Sequence, residues 1–355
     1  MKNIRNIKFF LAFALLLSLF ACNNNKQEVN SQKHGEYETL KDDPTNTRIY
    51  TLDNGLKVYL SVNEESPRVN TAIAVRAGSK NDPSDATGLA HYLEHMLFKG
   101  TDQYGTSNFE KEAPLLTEIE RLYEVYRTKT DEEERKKIYR MIDSISQIAS
   151  QYAIANEYDK MVSEMGAKGT NAYTSQERTV YINDIPTNQL EKWIELEAER
   201  FRSPQMRLFH TELEAVYEEK NRSLDNDFSK AWEATMSSLF PNHQYGQQTT
   251  IGTIDHLKNP SISKIKEYYT NYYVPNNMAI CLAGDFDPDE VIESIKEKFG
   301  TLKQGNVPDF QVREELAIKE VKETEVSGPD AEFMYMAYRF PGVDTRESEL
   351  IQTCD

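Results

Sequence analysis

Histidines at positions 91 and 95, with Glu94 between them, constrain this chain more than any other feature. In a helix, side chains four residues apart project from one face, so both imidazoles can reach one small cation. Around them Leu89, Leu93, Met96 and Leu97 recur at helical spacing and supply an apolar side. The stretch 88–101 therefore reads as a helix with one buried face and one ligating face. It follows a strand-like run at 69–76 and a loop rich in Gly, Asp, Pro and Ser at 78–87. A sheet strand is a rigid base for such a site.

The residue types point to zinc. Zinc takes neutral histidine nitrogen in tetrahedral geometry and leaves a position for water. Glu94 sits beside the metal in an H-x-x-E-H pattern without having to bind it. A carboxylate there can take a proton from a water whose pKa the metal has lowered. Two histidines do not complete a catalytic zinc site, for which three protein ligands are the norm. A later helix, expected over 205–239, carries Glu212, Glu214, Glu218 and Glu219. Helix geometry puts Glu212 and Glu219 on one face, but spacing alone does not choose Glu219 over Glu218 or Glu214. His210, His243 and His256 compete in principle. None has motif company, so they read as structural or surface residues.

At 355 residues the chain can hold two or three structural units. A mean hydropathy of −0.67 describes a polar globular protein. The net charge of −17 argues against a nucleic-acid partner, because neutralising phosphate needs a basic face. Lys2, Arg5 and Lys8 precede an apolar run at 9–20, which is too short to span a membrane comfortably and has secretory-signal proportions. Its end, Leu19-Phe20-Ala21-Cys22, resembles a bacterial lipobox. That resemblance implies cleavage before Cys22 and lipidation of Cys22. The chain would then be held at the bacterial cell envelope through a lipid anchor only, facing the periplasm or the outside. Residues 23–45 are polar, lack periodicity and read as a flexible tether. Cys281 and Cys354 are far apart, which does not support a disulfide framework.

Farther along, Asp53-Asn54-Gly55 marks a hairpin within 48–62. Residues 109–156 show a helical-hairpin pattern, read as a structural insertion. Strand character returns at 169–185 and stops at Pro186. Helices are expected at 187–202, 261–273 and 288–299, and strands at 277–284 and 331–340. A last helix begins near Glu347, and the chain reads as a piece of a longer protein.

Three segments together resemble the pitrilysin/insulinase (M16) metallopeptidases. They are His91-Tyr-Leu-Glu94-His95, Asn171-Ala172-Tyr173-Thr174, and Glu212 with Glu219-Lys220-Asn221. The resemblance covers roughly residues 46–345. It implies an α+β fold of the LuxS/processing-peptidase metallohydrolase type, with an antiparallel sheet packed by helices in two related α/β units. The first unit, 46–240, would carry the zinc and the helical insertion; the second would occupy 241–355. The resemblance also implies one zinc per chain on His91, His95 and Glu219, with Glu94 as general base. Glu212 would orient a ligand, and Asn171, Ala172, Tyr173 and Thr174 would pair with an extended substrate backbone.

The activity so implied is that of a zinc metalloendopeptidase acting on peptides or unfolded segments, because a closed chamber excludes folded domains. There are two departures from the family pattern. The helical hairpin lengthens the interval between His95 and Glu219. The family's second half, which supplies an arginine and a tyrosine near the zinc, has no counterpart here and would come from the same longer chain or a partner subunit. The alternatives are a non-catalytic partner subunit and a peptide-binding lipoprotein. Partner-subunit relatives usually show a damaged motif, whereas His91, Glu94, His95 and Glu219 are all present, and the lipoprotein reading leaves that motif unused.

Overall fold

The computed structural model describes residues 31–343 and 345–352. The leader, Cys22 and the start of the expected tether lie outside them. The chain opens with five strands, β1 (Ser31–His34), β2 (Tyr37–Leu40), β3 (Arg48–Thr51), β4 (Lys57–Val62) and β5 (Arg68–Val75). Next come α1 (Leu89–Met96), α2 (Phe109–Thr128), α3 (Glu132–Ser150) and α4 (Glu157–Glu164). The hairpin β6 (Lys168–Thr174) and β7 (Thr179–Pro186) follows, and then α5 (Leu190–Arg200), α6 (Phe209–Asp225) and α7 (Asp227–Leu239). After two one-turn helices, Gln244–Gln247 and Ile254–Leu257, come α8 (Ile262–Tyr272), β8 (Met278–Gly284) and α9 (Pro288–Phe299). The last helix is α10 (Arg346–Gln352).

Local chemistry explains these elements. Gly55 at φ 84 closes the turn between β3 and β4, where Leu52 N–H bonds to the Leu56 carbonyl. Along β5, Val69, Thr71, Ile73 and Val75 alternate inward, the period-two signature of a half-buried strand. Asn108, Asp131, Asn226 and Asp287 cap α2, α3, α7 and α9 by accepting from backbone N–H groups.

All strands among the described residues join one eight-stranded sheet in the order β1-β2-β3-β4-β8-β5-β7-β6. The fold is α+β, but the sheet is mixed rather than antiparallel, since β4 and β8 run parallel. The run Met-Ala-Ile-Cys-Leu-Ala-Gly of β8 lacks polar alternation because it lies mid-sheet between β4 and β5. Strands from both sides of residue 240 share this sheet.

Helix α1 packs on β6, β7, α6 and α8. Leu89, Leu93, Met96 and Leu97 are all buried there. Each such side chain contributes about 1.5–3 kcal/mol of burial. That anchorage sets the rotation of α1 and hence the direction of its polar face.

Other expectations need correction. Residues 31–40, placed in the tether, form the β1–β2 hairpin, with Tyr37 against Tyr50 and Arg48 over the Tyr37 ring. Its residues are largely polar and exposed, so apolar alternation could not reveal it. The helix expected over 205–239 divides into α6 and α7 at Asn226, whose extended backbone caps the second piece. Helix α4 was not foreseen. Residues 331–340 (Ala-Glu-Phe-Met-Tyr-Met-Ala-Tyr-Arg-Phe) are mostly apolar and aromatic but form no strand, having no pairing strand among the described residues. A strand needs an edge to take its main-chain hydrogen bonds. Residues 311–339 instead run irregularly along α7. Lys230 donates to the Ser327 carbonyl, and Arg339 Nη1 to the Leu239 carbonyl at 2.5 Å.

Candidate metal centre

The site starts where α1 starts. Gly88 sits at φ 89, and a Cβ there would lie 2.4 Å from the Ile251 carbonyl oxygen, so only glycine fits. Asp82 accepts from Gly88 N–H at 2.7 Å and Ala90 N–H at 3.0 Å. It thereby fills the helix's unpaired first-turn donors. Burial pushes the Asp82 carboxyl up to about 8, opposed by those N–H groups. His256 Nδ1 accepts from Thr87 N–H at 3.0 Å, steadying the residue before Gly88.

On the polar face of α1 the imidazoles of His91 and His95 meet edge to face, with Nε2 atoms 3.3 Å apart. Glu219 Oε2, from α6, stands 3.6 Å from His91 Nε2 and 3.7 Å from His95 Nε2. Zinc bonds of about 2.05 Å require donors roughly 3.4 Å apart at the corners of a tetrahedron. The three atoms fit that requirement. His91, His95 and Glu219 are also the one group of three or more possible ligands found among the described residues.

The surrounding groups favour a cation. His95 Nδ1 is 2.6 Å from Glu212 Oε1. Donation of Nδ1–H to that carboxylate leaves the Nε2 lone pair facing the other donors. Burial drives the His91 imidazole down to about 3, helped by the His95 charge, so the ring stays neutral. Its Nδ1 is buried without a hydrogen-bond partner among the described residues. Burial also lowers the proton affinity of His95, but the hydrogen bond and charge of Glu212, with Glu94 and Glu219, outweigh it and leave it raised. Burial pushes the Glu212 carboxyl up, yet hydrogen bonds from His95 and Lys99 outweigh it and leave it lowered. Lys99 Nζ lies 2.5 Å from Glu212 Oε2.

Glu94 is buried against the sheet and accepts from the Thr174 hydroxyl at 2.5 Å. Burial raises its carboxyl, partly offset by Thr174 and His95, which shifts it toward the range useful for a base. Thr174 ends β6, the outer strand of the sheet, paired on one side only. Asn171, Ala172 and Tyr173 continue back along that strand, and Tyr173 is exposed. The structure thus brings Thr174 to Glu94 and leaves the other three residues on an open edge.

Helix rotation separates the glutamates that spacing left open. Glu214 and Glu218 line a groove of about 840 Å³ with Tyr126, Tyr139 and Tyr217, away from the histidines. His210 pairs with the Tyr123 hydroxyl, and His243 caps a one-turn helix through Tyr245 N–H. Neither belongs to the histidine–glutamate group.

Two buried arginines escaped the sequence reading. Arg200 donates to the Leu97 carbonyl at the end of α1 and lies over the rings of Phe98, Tyr158 and Tyr181. Arg207 forks onto Glu112 and reaches the Lys99 and Thr101 carbonyls. In sequence both look like ordinary charges of polar helices, and no local signal marks them as buried.

A family model described as "Insulinase (Peptidase family M16)" matches residues 57–118 and 140–251, and one described as "Peptidase M16 inactive domain" matches 261–353. The interruption falls in the α2–α3 hairpin. Insulin-degrading enzyme of Mus musculus is 25% identical over 302 residues, covering 81% of this chain and 25% of that protein. Zinc protease PqqE of Helicobacter pylori is 26% identical over 257 residues, covering 71% of this chain and 46% of that protein. The chain thus spans less than half the length of either. The crystal structure of the periplasmic protease PqqL from Escherichia coli superposes with a TM-score of 0.57 at 21% identity, covering 77% of this chain and 26% of that one. A fold shared with that protein and the two family matches lead to one conclusion: the chain belongs to the M16 (insulinase) family of peptidases.

Proposed function

We propose that this chain is the metal-bearing part of a zinc-dependent endopeptidase that cuts peptides or unfolded segments at the bacterial cell envelope. The observation that carries the reading is the convergence of His91 Nε2, His95 Nε2 and Glu219 Oε2 beside Glu94 at the end of an open sheet edge. Zinc, when bound there, supplies a Lewis acid that acidifies water and polarises a carbonyl. Glu94 takes the proton from the attacking water and delivers it to the leaving amine nitrogen. Thr174 holds the carboxylate in place for both transfers. Residues 171–174 offer main-chain groups to an extended substrate, a mode that tolerates many sequences.

The apolar leader and Cys22 support export and lipid anchoring, and no helix among the described residues is long and apolar enough to cross a membrane. The second half of the chamber would be contributed by the same longer chain or by a partner subunit. The test is metal content and cleavage of a quenched, unstructured peptide. Near one zinc per chain, lost in Glu219→Ala, supports the metal site; cleavage lost in Glu94→Gln with zinc retained supports the mechanism. A folded, zinc-free wild type would overturn the reading in favour of a peptide-binding or partner role.

A further inference from the structure

We propose that Lys99 is a positioning residue for the metal ligand His95, acting through Glu212; this rests on the zinc reading above. The Glu212 carboxylate has both oxygens committed. Oε1 is 2.6 Å from His95 Nδ1, and Oε2 is 2.5 Å from Lys99 Nζ. A carboxylate held at one oxygen swings freely about its last side-chain bond; one held at both is fixed in plane and distance. The fixed carboxylate sets the ring orientation of His95 and keeps its Nε2 directed at His91 and Glu219.

A lysine on a flexible stem is usually a poor positioning device. Here its main chain is clamped. Lys99 N–H donates to the Met96 carbonyl, and the Lys99 carbonyl accepts from Arg207 Nη1 at 2.8 Å. The chain then turns sharply at Gly100, at φ 91. A Cβ on Gly105 would lie 2.6 Å from the Lys99 carbonyl oxygen, so the two strands of this loop touch. Arg207 is itself immobilised by Glu112 of α2, both side chains being at most 1% exposed. A continuous set of contacts therefore runs from α2 through Arg207, Lys99 and Glu212 to His95. Lys99 side-chain exposure is 17%, and that of Glu212 is 13%, so water competes little for the pair.

The test is zinc affinity, measured on the complete chain stripped of metal, by competition with a chromophoric chelator. Lys99→Met is expected to weaken zinc binding roughly tenfold, the scale on which groups behind a ligand act. Lys99→Arg restores most of the affinity. In a Glu212→Gln background, Lys99→Met adds little, because its route to the metal is already cut. Thermal unfolding of the metal-free proteins stays close to wild type for Lys99→Met and Lys99→Arg, which separates positioning from a role in folding. Should Lys99→Met not fold, Lys99→Gln is read against the same expectation. Unchanged affinity in the folded variant, or effects of Lys99→Met and Glu212→Gln that add in full, would overturn the inference alone. A wild type that takes up no zinc would overturn the metal reading, and this inference with it.

Discussion

The Thr174 hydroxyl donates to Glu94 Oε2 at 2.5 Å, joining the last residue of the outer strand to the carboxylate beside the candidate metal donors. The bond favours the ionised carboxylate, because only that form accepts it without a competing proton. Thr174→Val should therefore raise the Glu94 pKa and move the acidic limb of the pH–rate profile to higher pH. Loss of a hydrogen bond to a charged group, about 1.5–3 kcal/mol, lowers turnover by roughly 10- to 100-fold with zinc content unchanged. An unmoved acidic limb would show that Glu94 does not titrate in that limb.

Glu94 itself lies outside the three-atom donor group. Glu94→Gln is expected to keep zinc and lose turnover by about 10²- to 10⁴-fold, the range for a positioned acid–base group. Equal loss of zinc, read by elemental analysis, would make Glu94 a ligand instead.

Arg207 and Glu112 form a buried ion pair at 2.7 Å. Removing one partner leaves a buried, unpaired charge, so Arg207→Leu should cost about 3–5 kcal/mol in urea unfolding. Arg207→Leu combined with Glu112→Leu should recover part of that loss. A double variant no better than the single one would place the value of Arg207 in its bonds to the Lys99 and Thr101 carbonyls.

His256 accepts from Thr87 N–H through Nδ1, which it can do only when that nitrogen is bare. Burial lowers its pKa from 6.5, so the unfolded chain binds the proton more readily than the folded one. Its contribution to stability is present above pH 6.5 and is lost as pH falls through the lower folded value. His256→Asn, which keeps an acceptor but does not titrate, should flatten the difference between unfolding curves at neutral and mildly acidic pH. An unchanged slope would assign that acid sensitivity to other groups.

The sheet and its helices were legible wherever burial leaves a period. The alternation in 69–75, the apolar run of 278–284 and the helical spacing around Leu89 and Leu93 all correspond to elements of the structure. The β1–β2 hairpin was not legible, because its residues are mostly polar. Nor was the parallel pairing of β4 with β8, since strand direction depends on how the chain crosses over and not on the residues within either strand. The apolar, aromatic run at 331–340 has the composition of a strand but no strand to pair with among the described residues.

For the site, the sequence by itself determined that His91 and His95 share a helix face with Glu94 beside them, because a four-residue step on a helix is local geometry. It left Glu214, Glu218 and Glu219 as open alternatives. Tertiary structure decided among them: packing of α6 against α1 turns Glu219 toward the histidines and Glu218 toward the outer groove. It also decided that Thr174 meets Glu94, that Lys99 holds Glu212, and that Arg200 and Arg207 are buried. A helix repeats over a few residues and can be read from them. A contact between residues a hundred positions apart depends on how two packed elements are rotated, which is set by the whole core.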